Sequence, residues 1–300
     1  MAADADGWLS MIARGLLTVL IVFLASAVCA QTGSMDDLLS RLELQLDARL
    51  GVALYFPETG QRIEYHSDER FPLSSTFKML ACAALLHRVD SGQEQLERMV
   101  TFTEADLVSY SPVTETRAGT AGMSLAGLCE AALATSDNTA GNLVLQAVGG
   151  PDGFTQFMRS IGDDITRLDR WETDLNEARP GDPRDTTTPA AMARATELLV
   201  NGHVLTAQSR NQLEQWLTGN TVGDDLLRAG IPRNWTIGDK TGAGGFGSRS
   251  IAAIMRPPAG KPVIAAIYIT QTAASMAQSN AAIAQIGSAI VNVVISYQKQ

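Results

Sequence analysis

Residues 234–242, NWTIGDKTG, residues 248–256, SRSIAAIMR, and residues 263–272, VIAAIYITQT, are consecutive runs rich in Ile, Thr, Val and Tyr. Such residues suit a pleated, half-buried surface, so each run reads as a strand. Pro257, Pro258 and Gly260 break the chain between the last two and make them a turn-connected pair. Near the other end GVALYFP (51–57) and QRIEYHS (61–67) flank Glu58, Thr59 and Gly60, which reads as a hairpin. Two strands early and three late predict one five-stranded antiparallel sheet. After Ser34, a good N-cap, Leu38, Leu39, Leu42, Leu46 and Leu50 recur at helical spacing, and a second helical run spans about 276–297. These N- and C-terminal helices are expected to cover the sheet.

Between the two groups of strands the pattern is helical, with segments near 75–90, 124–135, 138–148, 152–160, 189–201 and 206–217 and no strand-like alternation. The expected fold class is therefore α/β (α+β): a discontinuous α/β lobe from 31–67 and 218–300, an all-helical lobe from 68–217, and an active site in the cleft between them.

The chain has 300 residues, 45% of them hydrophobic, which is enough for a sizeable core and argues against disorder. Its net charge of -9, with no run of Lys or Arg, disfavours nucleic acid as a partner. Residues 15–30, GLLTVLIVFLASAVCA, are uncharged, follow Arg14 and end in Val28, Cys29 and Ala30. That pattern predicts a signal peptide, residues 1–30, cleaved near Ala30 to leave an exported protein, periplasmic or secreted, that starts near Gln31. An uncleaved anchor is the alternative, but the stretch is short against the roughly 20 residues a spanning helix needs. Asp4 and Asp6 cancel the positive flank that signals carry, whereas a start at Met11 would give a regular one. Cleavage leaves Cys82 and Cys129, an even pair in a compartment where disulfides persist; bonding is expected, with two buried thiols as the alternative.

Ser75, Thr76, Phe77 and Lys78 place a hydroxyl and an ammonium at i and i+3 on one helix face, near an N-terminus where orphan N–H groups favour negative charge. The signal is weak alone, because Ser296 and Lys299 repeat the spacing. Ser136, Asp137 and Asn138 fall between two helices, and Lys240, Thr241 and Gly242 end a strand. Each triplet alone is an ordinary capping turn or strand end; in this order the three are specific. The Ser136 hydroxyl can relay a proton to a leaving nitrogen, Asn138 can hold an amide, and Lys240 with Thr241 can receive a carboxylate. Gly242 leaves room for substrate against the backbone. G-x-G-x-x-G over 242–247 precedes a strand where a dinucleotide site needs a helix. His66, His87 and His203 are too scattered for zinc ligation, and no G-x-S-x-G is present. Neither metal nor cofactor is expected.

With Arg170, Trp171, Glu172, Thr173, Asp174, Leu175 and Asn176 added to these motifs, the chain resembles the class A serine β-lactamases over nearly its whole mature length. The resemblance implies hydrolysis of penicillins through an acyl-enzyme on Ser75, with Lys78 its partner and Ser136 the proton relay. It assigns Glu172 and Asn176 to the hydrolytic water, on a loop closed by an Arg170–Asp185 ion pair. Asn138 would be a substrate contact, Lys240 and Thr241 the carboxylate site, Arg249 a second cation there, and Tyr110 an aromatic wall. The oxyanion hole would be the backbone N–H groups of Ser75 and Ala243. Cys82 and Cys129 match a disulfide found in part of the family. Local sequence alone favours a surface pair of Glu172 with Arg170; the resemblance reverses that reading.

Two rivals share the motifs: a D-alanyl-D-alanine peptidase or transpeptidase, and a penicillin sensor that acylates once. Both lack a deacylating carboxylate, which Glu172 supplies. Ser74 and Gly244 stand where a carbapenem-hydrolysing branch has cysteines, and Gly244 and Gly245 lack the substitutions associated with bulky oxyimino cephalosporins. TGAGGFGSRSI (241–251) is similar to the carbenicillin-hydrolysing subgroup, although that subgroup often has Arg where this chain has Lys240. The expectation is a monomeric penicillinase that also takes carbenicillin and some early cephalosporins and has no lasting membrane association.

Overall fold

The structure, a computed structural model, describes residues 34–297. The expected signal peptide, its cleavage point at Ala30, Met11 and Lys299 lie outside the described residues. Helix α1, Met35–Leu46, opens with a reciprocal cap: the Asp37 N–H donates to Ser34 Oγ at 3.2 Å and the Ser34 N–H to the Asp37 carboxylate at 3.0 Å. Leu39, Leu42 and Leu46 are buried on one helical stripe. Leu50 extends that spacing on paper but lies in strand β1, because Asp47 at φ 43° takes the left-handed conformation that ends the helix.

Strand β1 (Arg49–Phe56) pairs with β2 (Gln61–Tyr65) across the 58–60 turn. The middle of the chain then contributes β3 (Phe71–Pro72), α2 (Phe77–Asp90), β4 (Met99–Val100), β5 (Met123–Ser124), α3 (Leu125–Ala134), α4 (Asn138–Ala147), α5 (Gly150–Ser160), β6 (Thr186–Thr187), α6 (Pro189–Asn201) and α7 (Ala207–Thr218). Side-chain caps begin several of these helices: Ser124 for α3, Asp137 for α4, Thr188 for α6 and Thr206 for α7. The last third supplies β7 (Thr236–Ala243), β8 (Arg249–Arg256), β9 (Val263–Thr270) and α8 (Met276–Tyr297).

All five long strands are antiparallel neighbours in the order β2-β1-β9-β8-β7. Register places Val52 opposite Ile267, Ala266 opposite Ala252, and Ala252 opposite Lys240. Central β9 is buried at every position, so both sheet faces are covered. Helix α6 packs on β1 and β9, and α8 on β8. Two departures concern the middle of the chain. The pairs β3–β6 and β4–β5 are strands where none was expected; at two residues each they are too short to show alternation, and β3–β6 joins segments far apart in sequence. Ser75 also lies in a 3-10 turn, Ser74–Thr76, that precedes α2 instead of inside the helix. Every residue of α2 from Phe77 to Leu86 is buried, and a Cys82–Cys129 disulfide ties α2 to α3 with a Cα–Cα distance of 5.8 Å.

Candidate active site

The turn bearing Ser75 is held from below. Leu73 donates its N–H to the Asp185 carbonyl at 2.8 Å, and Thr76 Oγ1 donates to the Leu73 carbonyl while touching the buried Tyr268 hydroxyl at 3.2 Å. One turn on, Lys78 points back along α2, so that Nζ lies 3.1 Å from Ser75 Oγ, 2.8 Å from the Ser136 carbonyl, 2.6 Å from Asn138 Oδ1 and 3.0 Å from Glu172 Oε1. Gly141 makes this possible, since a Cβ there would stand 2.7 Å from Lys78 Cε. An ammonium has three protons, and a carbonyl, an amide oxygen and a carboxylate claim them. The Ser75 hydroxyl is then free to face Glu172 Oε1, at 3.4 Å. Burial pushes the Lys78 ammonium below the usual lysine range, and the Glu172 charge opposes that shift.

Glu172 is buried, its side chain closed off together with that of Lys78. Its second oxygen accepts from Asn176 Nδ2, whose own Oδ1 is buried and has no partner among the described residues. Asn142 clamps the Glu172 backbone from both sides, accepting its N–H at 2.9 Å and donating to its carbonyl at 3.0 Å. The surface pair with Arg170 that local spacing favours does not form; Arg170 instead bonds Asp185 at 2.5 Å and Glu177 at 2.7 Å, which closes the 170–185 loop.

Ser136 takes a positive φ of 62° between α3 and α4, which turns its hydroxyl toward Lys240 Nζ at 3.0 Å. Asp137 caps α4 through Ala140 and gathers the N–H groups of Val113 and Thr114, both at 2.9 Å. That anchors the loop bearing Tyr110, whose carbonyl accepts the Asn138 N–H at 3.0 Å and whose ring is exposed. Both ends of the Asn138 amide are occupied, Oδ1 by Lys78 and Nδ2 by the Ser109 carbonyl. Lys240, on edge strand β7, is fully buried. Desolvation first, and then the neighbouring Lys78 charge, hold it well below the usual lysine range. Arg249, at the start of β8, donates from Nε to Asn280 Oδ1 at 2.7 Å and from a terminal nitrogen to the Gly242 carbonyl at 3.3 Å.

Ser75, Tyr110, Ser136, Asn138, Asn176, Thr241, Ala243 and Arg249 line one cavity of about 370 Å³, while Lys78, Glu172 and Lys240 lie beneath its surface. Edge position leaves β7 with N–H groups unpaired on the side away from β8. Gly242 lines this cavity as well, and a Cβ there would meet Ser250 Oγ at 2.4 Å and Ser74 Cβ at 3.2 Å, so its small size also lets β7 pack on the Ser75 turn. Sequence reasoning missed Gly141, Asn142, Val222, Met276 and Asn280. The first two follow Asn138 at i+3 and i+4 on the same face of α4 and were open to that argument; the others carry no local signal.

Residues 35–294 match the profile described as the β-lactamase enzyme family. β-Lactamase AER-1 of Aeromonas hydrophila is 46% identical over 280 residues, covering 92% of this chain and 92% of its own. β-Lactamase CARB-3 of Pseudomonas aeruginosa is 44% identical over 289 residues, 96% of this chain and 99% of its own. The solved structure of an ancestral class A β-lactamase superposes with a TM-score of 0.85 at 51% identity, covering 87% of this chain and all of that one. A fold shared at half identity, and a family match over nearly every described residue, agree with the buried serine, carboxylate and lysines built above: the chain belongs to the class A serine β-lactamases, hydrolases of β-lactams that give resistance to them.

Proposed function

We propose that this enzyme acts on penicillins, carbenicillin among them, and on some early cephalosporins, by acylation of Ser75 and hydrolysis of the ester by a water that Glu172 activates. The substrate carboxylate rests on Lys240, Thr241 and Arg249, its amide side chain meets Asn138, and Tyr110 walls the cleft. Lys78 or Glu172, both within reach of the Ser75 proton, takes it as Oγ bonds the lactam carbonyl carbon. The backbone N–H groups of Ser75 and Ala243 receive the oxyanion. The C–N bond then breaks, and the nitrogen takes a proton through Ser136. Water held by Glu172 and Asn176 gives one proton to the carboxylate and its oxygen to the acyl carbon; the ester C–Oγ bond then breaks, and Ser75 Oγ takes a proton back from Glu172, directly or through Lys78, which restores the free enzyme.

One observation carries this reading: Glu172 is buried against Ser75, Lys78 and Asn176, with the otherwise unpartnered Asn176 Oδ1 beside it. A peptidase or a one-turnover sensor has no use for a base so placed. The same reading has the sheet side, 31–67 and 218–300, and the helical side, 68–217, as lobes flanking the cleft, and a monomer exported after signal removal that needs no cofactor.

Glu172→Ala tests it. General base catalysis contributes about 10²–10⁴-fold, so steady-state hydrolysis of benzylpenicillin should fall by that much while intact-protein mass spectra show an adduct absent from Ser75→Ala. Hydrolysis at near the parent rate with no adduct would reduce Glu172 to a structural carboxylate.

A further inference from the structure

Two exposed apolar side chains line the cavity, Tyr110 at 58% and Met276 at 57% exposure. They belong to different chemical neighbourhoods. Tyr110 adjoins Asn138 through the 3.0 Å backbone bond. Met276 opens α8 and shares the cavity with Ala243 and Arg249. One helical turn beyond it, Asn280 holds Arg249 Nε at 2.7 Å, and residues four apart share a helix face. Met276 therefore lies on the helix face that presents Asn280 to the guanidinium and lines the same cavity as Arg249.

A carboxylate seated on Lys240 and Arg249 fixes the ring carbon that bears it, so whatever the adjacent ring carbon carries is brought to the side of Arg249 where Met276 stands. In a penicillin that adjacent carbon carries two methyl groups. In a cephalosporin it carries the variable substituent of the six-membered ring. A flexible uncharged thioether adapts to apolar groups and offers a charged one no partner. We propose that Met276 is a specificity-determining residue that contacts the substituent next to the substrate carboxylate and favours substrates with apolar or neutral groups there. The proposal rests on the carboxylate site assigned to Lys240 and Arg249.

The test compares two cephalosporins with the same thienylacetyl side chain, one with a neutral acetoxymethyl and one with a cationic pyridiniummethyl substituent. Dividing their kcat/KM values cancels any effect of a variant on the shared carboxylate. Met276→Glu should raise the cationic-to-neutral ratio about threefold, the range of a partly exposed ion pair. Ala277→Glu, exposed and outside the cavity lining, should leave the ratio unchanged. Met276→Ala should raise KM for benzylpenicillin several-fold with kcat retained. An unchanged ratio in Met276→Glu, or an equal shift in Ala277→Glu, would overturn the proposal. Failure of the underlying carboxylate site shows separately, as an unchanged kcat/KM for all three substrates in Arg249→Ser.

Discussion

Lys240 shows most directly how one residue's setting becomes a measurable property. Buried and 3.0 Å from the Ser136 hydroxyl, it is held well below the usual lysine range by desolvation and by the Lys78 charge. A lysine lowered in this way is cationic at low pH and loses its charge as pH rises through the depressed value, so the carboxylate anchor proposed for it should weaken on the alkaline side. The kcat/KM profile for benzylpenicillin should therefore fall at a lower pH than an ordinary lysine would give, and Lys240→Arg, with a guanidinium that stays protonated, should move that limb upward. A limb that does not move would assign it to Lys78 alone. Ser75 with Lys78 and Ser136 with Asn138 were legible at this scale, because each pair lies within one turn of chain. Glu172 was legible only through the family resemblance: spacing pointed to Arg170, two positions away, whereas its partner Ser75 lies 97 positions away, and which of them it meets is decided by the path of the loop.

Among the elements, α2 and α3 run out from Ser75 and in toward Ser136, and their one covalent link is Cys82–Cys129. A cross-link spanning 47 positions stabilises by about 4 kcal/mol on the chain-entropy model. The double variant Cys82→Ser/Cys129→Ser should lose stability of that order, read from denaturant midpoints, while folded protein at 25 °C keeps its kcat; a midpoint equal to the parent's would show the link to be redundant. Helix positions were legible from periodicity and caps, and the observed ends differ by only a residue or two except in α1, which stops at Leu46 although the leucine spacing runs on to Leu50. The 3-10 turn at Ser74–Thr76 was not legible, since its geometry follows from contacts with Asp185 and Tyr268, both distant in sequence. The same distance hid β3–β6.

For the whole molecule, the charge pattern before Gln31 leads to the expectation that protein recovered from the exported fraction has the intact mass of a chain beginning near Gln31; a mass retaining residues 11–30 would refute cleavage. From its sequence alone this protein specified five antiparallel strands, eight helices and the serine, lysine and Lys240–Thr241 motifs, because alternation, helical periodicity, caps and i to i+3 spacing act within a few residues. Only the tertiary structure decided that Glu172 turns inward, that Asn142 clamps its backbone, that a Cβ at Gly242 would collide with Ser250, and that Asn280 holds Arg249 in a cavity that Met276 also lines. Those facts depend on which distant surfaces exclude water from one another, and such burial is a property of the assembled chain that no window of sequence contains.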